Sequence, residues 1–171
     1  MPPGRTCRLE NATVNGNVLG RENSRLYVSD TRVAGNIDGV EARVVQVRGG
    51  QLGGSIQIAD GNSPGEIGAG VYGTLLTQGN IQVEEMNTGG VEIKNAVLRK
   101  GNIKIEGNST TSRFEITGNR VAQNIQVFKN RGRTNKTVRD NRVQQTLECK
   151  ENTSPFVGGP NVAGEAKEQC F

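Results

Sequence analysis

The segment Gly79-Asn-Ile-Gln-Val83 returns as Gly101-Asn-Ile-Lys-Ile105 and again as Gln123-Asn-Ile-Gln-Val127, each time after 22 residues. Looser versions of this phrase extend it in both directions, so that one apolar anchor position recurs along most of the chain. The anchors are Val18, Ile37, Ile56, Ile81, Ile103, Ile125 and Leu147, with spacings of 19, 19, 25, 22, 22 and 22 residues. Self-similarity at a period of this length is typical of a solenoid, in which each repeat forms one coil.

Each repeat contains short segments in which apolar and polar residues alternate. The anchor opens one such segment, as in Ile103-Lys-Ile105, and a second pair, such as Val91-Glu-Ile93, lies elsewhere in the repeat. A third apolar position follows the second pair, as Leu98 follows Ile93. Alternation with a period of two predicts short strands with one buried face. Gly and Asn interrupt the chain too often for helices.

We therefore predict an all-β fold, a single-stranded, right-handed parallel β-helix (a solenoid) of about seven coils. The right hand is expected because connections between parallel strands of one sheet are almost always right-handed. The β-helix is expected to occupy residues 1–149. Residues 150–171 lack the repeat and are expected to form a C-terminal capping tail, in which Phe156 and Val157 close the apolar column of the last coil.

The polar corner before the anchor is expected to be structural. An asparagine precedes the anchor in most repeats, and stacking of the coils would align these side chains in an asparagine ladder whose amides bond to one another. The predicted ladder consists of Asn17, Asn36, Asn80, Asn102 and Asn124. Gly and Asn suit such a corner because both tolerate positive φ.

The three cysteines indicate a tail held by a disulfide rather than a metal site. Cys149 ends the last repeat and Cys170 ends the tail, and we predict a disulfide between them; two free buried thiols are the alternative. A disulfide would imply an oxidising compartment, so the expected location is secreted or periplasmic. The first residues contain no apolar segment of a signal peptide, and we expect the chain to begin at a mature domain. Cys7 is expected in a buried, inward column.

The composition argues against catalysis. Histidine is absent, aromatic residues make up 4% of the chain, and there is no Trp. Because His is the commonest general base and metal ligand, we expect no catalytic residue, no metal and no cofactor. Tyr27 and Tyr72 are the two aromatic residues expected to point outward, where an aromatic ring could stack on a sugar. Apolar runs are too short for a membrane span.

The positive charge is concentrated in one part of the chain. The net charge is +4, yet residues 99–142 carry eleven Lys or Arg against three acidic residues. One loop of the sixth coil collects many of these cations and could hold an anionic polysaccharide, a phosphate-rich surface or nucleic acid. The candidate anion-binding residues are Lys129, Arg131, Arg133, Lys136 and Arg139. The alternative is a solvated loop that protects the sheet edge. Since no nucleic-acid-binding module is visible, we expect no specific nucleic acid partner.

Both ends of the chain resemble a known group of proteins. The opening Cys7-x-Leu9-x-x-Ala12-x-Val14-x-Gly16-Asn17-Val18 and the ending Gly158-Gly159-Pro160-Asn161-Val162 with Lys167-Glu168-Gln169-Cys170 are similar to those of small secreted bacterial right-handed β-helix proteins, largely of unknown function. The resemblance implies a tail folded over the last coil. The Gly-Asn-Ile coils also resemble those of bactofilins, which polymerise through stacked β-helices.

Three functions fit these observations. The first is a non-enzymatic, extracytoplasmic structural, surface or binding module, with an anionic polysaccharide or another cell-surface component as its partner. The second is a carbohydrate-active enzyme or a polysaccharide-binding protein. The third is a bactofilin-like, polymer-forming scaffold. We expect a monomer or a weak end-to-end or edge oligomer.

Overall fold

The computed structural model describes residues 1–153 and 155–170. In this part of the chain every paired strand runs parallel to its neighbour, and there is no helix. The chain winds into stacked coils, and each coil contributes one strand to each of three faces, which we call A, B and C. The predicted all-β class and the predicted parallel β-solenoid of about seven coils are therefore confirmed.

Face A is one parallel sheet of eight strands, one from each coil and one from the tail. Its strands are β1 (Thr6–Glu10), β4 (Arg25–Ser29), β7 (Val44–Arg48), β10 (Asn62–Tyr72), β13 (Thr88–Lys94), β16 (Phe114–Thr117), β19 (Lys136–Arg139) and β21 (Phe156–Gly158).

Faces B and C have shorter strands and join at the last coil. Face B consists of β2 (Thr13–Val14), β5 (Arg32–Val33), β8 (Gln51–Leu52), β11 (Leu75–Leu76), β14 (Val97–Leu98) and β17 (Arg120–Val121). Face C consists of β3 (Val18–Leu19), β6 (Ile37–Val40), β9 (Ile56–Ala59), β12 (Ile81–Glu84), β15 (Ile103–Glu106) and β18 (Ile125–Phe128). The long strand β20 (Arg142–Lys150) runs through both faces, and β22 (Val162–Glu168) pairs along it.

The core consists of apolar columns that run through the stack. Ile81 pairs in register with Ile103, so the anchors share one interior column, as predicted. The seven anchors are buried, with at most 9% of any one exposed. The third apolar position of each repeat forms a second column on face B, where Leu76 pairs with Leu98. Each coil thus buries its apolar residues against the equivalent residues of the next, which explains why the repeat must be regular.

The corner between faces B and C contains the predicted asparagine ladder. The side-chain oxygen of Asn102 accepts hydrogen bonds from the backbone N–H of Asn124 at 3.0 Å and from its amide at 2.9 Å. Asn80 accepts in the same way from Asn102, at 2.8 and 3.3 Å. Ser55 replaces asparagine in the third coil, where its hydroxyl accepts from the N–H of Asn80 at 3.0 Å.

The reason we expected for asparagine at this corner is wrong. None of the ladder asparagines has a positive φ; the non-glycine residues with positive φ lie at the other two corners, for example Asp30 and Lys129. Gly101 has a positive φ, whereas Gly35 and Gly79 do not and are required by space instead. A Cβ at Gly35, which precedes Asn36, would lie 2.1 Å from the side-chain oxygen of Asn17 in the preceding coil. In the Gly-Asn pair, the glycine therefore leaves space for the ladder side chain of the preceding coil. The asparagine supplies the ladder side chain of its own coil.

Two further ladders, which the sequence did not reveal, lie inside the other corners of the later coils. In one, the Asn130 oxygen accepts from the backbone and side chain of Asn108, while its own amide donates to the Ile105 carbonyl and to Asn152. The other ladder runs through Asn119, Asn141 and Asn161. Asn108, Asn119, Asn130 and Asn141 are at most 1% exposed, so these bonds satisfy polar groups that water cannot reach.

The C-terminal tail continues the solenoid instead of departing from its pairing. Phe156 pairs in register with Lys136, and Ala166 pairs with Leu147. Phe156 is half-buried against the core, but Val157 is 42% exposed, so the expectation that both residues close the apolar column is wrong for Val157. The reason is the alternation of a strand, in which neighbouring side chains point to opposite faces.

A disulfide joins Cys149 in β20 to Cys170 at the end of the tail, with their Cα atoms 5.2 Å apart. Both cysteines are buried. The link therefore ties the last residues of the tail to the final coil, and the pairing that the sequence suggested is present. The free thiol is Cys7 in β1, which is half-buried and packs against the core.

Candidate anion-binding surface

The cations of the predicted anion-binding loop do not form one site. Arg131 and Arg133 lie exposed in the connection between β18 and β19. Lys129 lies at the corner before them, and its ammonium is 3.3 Å from a carboxylate oxygen of Glu106. Arg139, at the end of β19, has its Nε 3.3 Å from the carboxylate of Asp140. Two of these exposed cations therefore already face an acidic side chain.

Lys136 differs from the other four because it points into the solenoid. It occupies the inward column of face A, between Phe114 and Phe156, and its side chain is fully buried. Its ammonium donates to the carbonyl oxygens of Gly132 at 2.9 Å and Thr134 at 3.3 Å. Burial lowers the pKa of Lys136. Its ammonium thus fixes the basic loop from within.

Next to Arg139 lies an open, polar cleft of about 520 Å³ on the outer side of face A. Its lining includes the carboxylates of Glu115 and Asp140 as well as Asn135 and Thr137. Since two carboxylates share this cleft with one arginine, an anion would meet little net attraction there.

A cluster of arginines that the sequence did not single out lies on face B. Arg120 and Arg142 occupy the same outward position of adjacent coils, which places the bases of their side chains about 4.8 Å apart. Arg99 follows β14 one coil earlier, and all three are exposed. Within the described residues, none of the three has an ion-pair partner.

These arginines surround an open groove of about 340 Å³, which we call the arginine groove. Val97 and Ala122 supply its partly exposed apolar lining, Leu98 and Val121 lie beneath it with their side chains buried in the core, and Gln144 lies at its end. Arg120 and Arg142 are 22 residues apart, so the repeat period was the signal that could have revealed the cluster. It was missed because each arginine stands alone in sequence and only the stacking of coils brings them together.

The outer side of face A carries a network of charged side chains. Glu92, which is 4% exposed, accepts a hydrogen bond from the Tyr72 hydroxyl at 2.6 Å and from Arg113 at 3.0 Å. Lys94 bridges Glu92 and Glu115, which occupy the same column on adjacent coils. The two carboxylates are thereby neutralised by their neighbours.

The protonation of this network is set by burial and by these partners. Burial alone would raise the pKa of Glu92, but the hydrogen bonds from Tyr72, Arg113 and Lys94 outweigh it, and the pKa lies below its usual value. Burial and the bond to Glu92 both raise the pKa of Tyr72. Glu92 therefore stays ionised and Tyr72 stays protonated near neutral pH, which suits a structural network better than acid–base catalysis.

The two outward tyrosines are covered by arginines. The guanidinium of Arg48 lies 4.2 Å from the ring centre of Tyr72, and that of Arg8 lies 4.4 Å from the ring centre of Tyr27. The ring of Tyr72 also leans over Gly70, where a Cβ would come within 2.7 Å of it. Cation–π contacts thus occupy ring faces that a sugar would need for stacking.

The fold defines the chain as a parallel β-solenoid with a polar exterior. The chain matches no known protein-family model, and no curated protein or solved structure shows significant similarity to it. In the described part of the chain, no helix has the length and apolar character needed to cross a lipid bilayer.

Proposed function

We propose that this chain is a non-enzymatic, extracytoplasmic binding module that holds an anionic polymer, such as an acidic polysaccharide of a cell surface, in its arginine groove. The observation that carries the proposal is the convergence of Arg99, Arg120 and Arg142 on one groove. Like charges on adjacent coils repel one another, and within the described residues none of the three arginines forms an ion pair. A bound polyanion would relieve this repulsion, and guanidinium groups match carboxylate or phosphate oxygens with two hydrogen bonds each.

Two other features support parts of this proposal. The disulfide between Cys149 and Cys170 is typical of proteins from an oxidising compartment, which favours an extracytoplasmic location. Two carboxylates that stack on adjacent coils of face A, those of Glu92 and Glu115, are bridged by Lys94 and contacted by Arg113. A glycoside hydrolase needs one such carboxyl group with a raised pKa, whereas the pKa of Glu92 is lowered. This favours a binding module over the carbohydrate-active enzyme.

The proposal is tested by removing the three arginines together. The variant R99Q/R120Q/R142Q should bind immobilised acidic polysaccharides at least about tenfold more weakly than the wild type, because each lost charged hydrogen bond costs more than about 1 kcal/mol. The matched control is R5Q/R21Q/R32Q, which removes the same charge from exposed positions of the first two coils. Equal loss of binding in both variants would mean that only net charge matters, and the groove would not be the site.

A polymer-forming scaffold is the second candidate, and one observation favours it. Strands β21 and β22 extend the faces in register, so the tail presents a strand edge of the kind that a further coil would pair with. Sedimentation velocity at rising protein concentration tests this candidate. A single species of constant size would exclude it, and a series of end-to-end oligomers would support it.

A further inference from the structure

We infer that the ligand of the arginine groove is a linear polyuronate, a polysaccharide with one carboxylate on each sugar ring, lying along the solenoid axis. This inference rests on the proposed function and names the substrate class of the same site. It depends on how the groove is built, namely on the spacing of its charges, the character of its lining and the geometry of its side chains.

The spacing of the charges follows the coils. Arg120 pairs with Arg142 on the next coil and with Val97 on the preceding one, so the groove runs parallel to the solenoid axis across three coils. Adjacent coils are about 4.8 Å apart. This distance is close to the length of one pyranose ring in an extended chain. A polyuronate aligned with the axis would therefore place two carboxylates within reach of Arg120 and Arg142, and Arg99, which lies one coil earlier and level with Ala122, could reach a third.

The lining of the groove suits the C–H faces of sugar rings. Between the charged side chains, Val97 and Ala122 are partly exposed and offer apolar contact without a hydrogen-bonding requirement. A pyranose ring presents C–H groups to one side and hydroxyl groups around its rim. The apolar lining can contact the C–H groups, while Gln144 and the arginines can form hydrogen bonds with the hydroxyl groups.

The same lining argues against a single-stranded nucleic acid. Proteins that hold single strands stack the bases on aromatic side chains, and the groove is lined by no aromatic residue among those described. Arg120 and Arg142 occupy paired positions of adjacent coils, which suits an unbranched chain with regularly spaced carboxylates. Sulfated polysaccharides share the negative charge but carry it at other positions on the ring, so they serve as a comparison in the test.

The experiment measures binding of oligogalacturonates of two to six sugar units by isothermal titration calorimetry. Affinity should rise with chain length until about three or four units fill the three coils of the groove, and it should then level off. The fully methyl-esterified oligomers, which keep the sugar rings but lose the charges, should not bind. Replacement of either of the two paired arginines, R120Q or R142Q, should weaken binding by about tenfold and shift the plateau to shorter oligomers.

Two further variants separate geometry from charge. R120K keeps the charge but not the two-pronged guanidinium, so it should recover only part of the affinity lost in R120Q. R32Q, at the equivalent outward position of β5, should bind as the wild type does. All of these residues are exposed, and far-ultraviolet circular dichroism checks that each variant folds.

The outcomes distinguish this inference from the proposed function. If heparin or single-stranded DNA binds through the groove arginines and oligogalacturonate does not, the polyuronate is wrong but an anion-binding function stands. Affinity that is independent of oligomer length would also overturn the axial arrangement. If no polyanion binds in a manner that depends on these arginines, both the inference and the proposed function fail.

Discussion

At the level of single residues, a lysine can be buried although the cations beside it in the sequence are exposed. Lys136 lies in a run of cations, Lys129-Asn-Arg-Gly-Arg133-Thr-Asn-Lys136, and looks like one more surface charge. Its place in the alternation of β19 points it inward, and two carbonyls hold its ammonium. A charge whose partners are neutral carbonyl groups is costly to bury, and this cost depends on pH.

The buried ammonium predicts a specific dependence of stability on pH. Burial lowers the pKa of Lys136 from its ordinary value of 10.5, so the unfolded chain holds this proton more tightly than the folded one. Stability must then rise as pH increases through the interval between the folded pKa and 10.5. The free energy of unfolding of the wild type relative to K136M, measured by urea denaturation, should therefore increase from pH 7 to about pH 10.

The exposed residue Lys100 supplies the control for this measurement, because K100M removes the same charge without emptying an interior position. The pH profile of K100M should run parallel to that of the wild type. If the K136M and wild-type profiles are also parallel over this range, burial does not strain the ammonium and does not lower the pKa of Lys136.

At the level of the structural element, the corner between faces B and C shows how a repeated phrase meets two needs at once. The asparagine supplies the oxygen that accepts from the next coil, and the glycine before it leaves space for the oxygen of the preceding coil. Neither need is visible within one coil. Both arise because the coils stack closely, and they explain why Gly-Asn occurs at the same point of several repeats.

The prediction for this corner concerns Gly54 and Gly16, which occupy equivalent positions. A Cβ at Gly54 would lie 2.1 Å from the Asn36 oxygen and 2.8 Å from the Gly35 carbonyl oxygen, whereas nothing lies within 4 Å of a Cβ at Gly16. Neither glycine has a positive φ, so alanine strains neither backbone. G54A should lower the free energy of unfolding by about 1–3 kcal/mol, as overpacking usually does, and G16A should leave it nearly unchanged. Denaturant titration measures both.

The difference between the effects of G54A and G16A on the free energy of unfolding shows why glycine is needed at this corner. Equal effects of G54A and G16A would mean that glycine acts through the flexibility of the unfolded chain rather than through the space that the ladder needs. A larger loss for G54A alone supports the ladder.

At the level of the whole molecule, the C-terminal tail covers the last coil of the solenoid. It pairs with the last coil through β21 and β22, and the disulfide closes a loop with a sequence separation of 21 residues. In the chain-entropy model a loop of this size stabilises the fold by about 3 kcal/mol. Strand pairing and the covalent link therefore hold the tail together, and they can be separated experimentally.

Reduction of the disulfide is expected to loosen the tail before the rest of the solenoid. Backbone amides of β22 should exchange with deuterium faster in the reduced protein than in the oxidised one, while those of β15, in the middle of face C, should exchange equally in both. A thiol count on the denatured, unreduced protein should find one reactive thiol, which maps to Cys7. Three reactive thiols, or a rate of amide exchange in β22 that reduction does not change, would contradict a tail held by the disulfide.

The spacing of the repeats was enough to predict the architecture of this protein. Because the anchors recur every 19 to 25 residues and alternate with polar residues, only a stack of coils buries all of them, and the columns and the first ladder followed. The amino-acid pattern could not predict which polar residues face inward. Asn130 and Lys136 are buried while Arg131 and Arg133 are exposed, although all four lie within one polar stretch.

The places where surface charges meet depend on the three-dimensional fold. Arg99, Arg120 and Arg142 are 21 and 22 residues apart, so no local pattern connects them. The coils bring them to one groove, because each turn of the solenoid returns the chain to the same face one strand spacing further along the axis. Stacking also separates the cations of the basic loop, although they are close together in the sequence. Lys136 points inward, and Lys129 and Arg139 form ion pairs with carboxylates. Periodicity can be read along the chain, whereas the partners of a charged side chain depend on distances that only stacking creates.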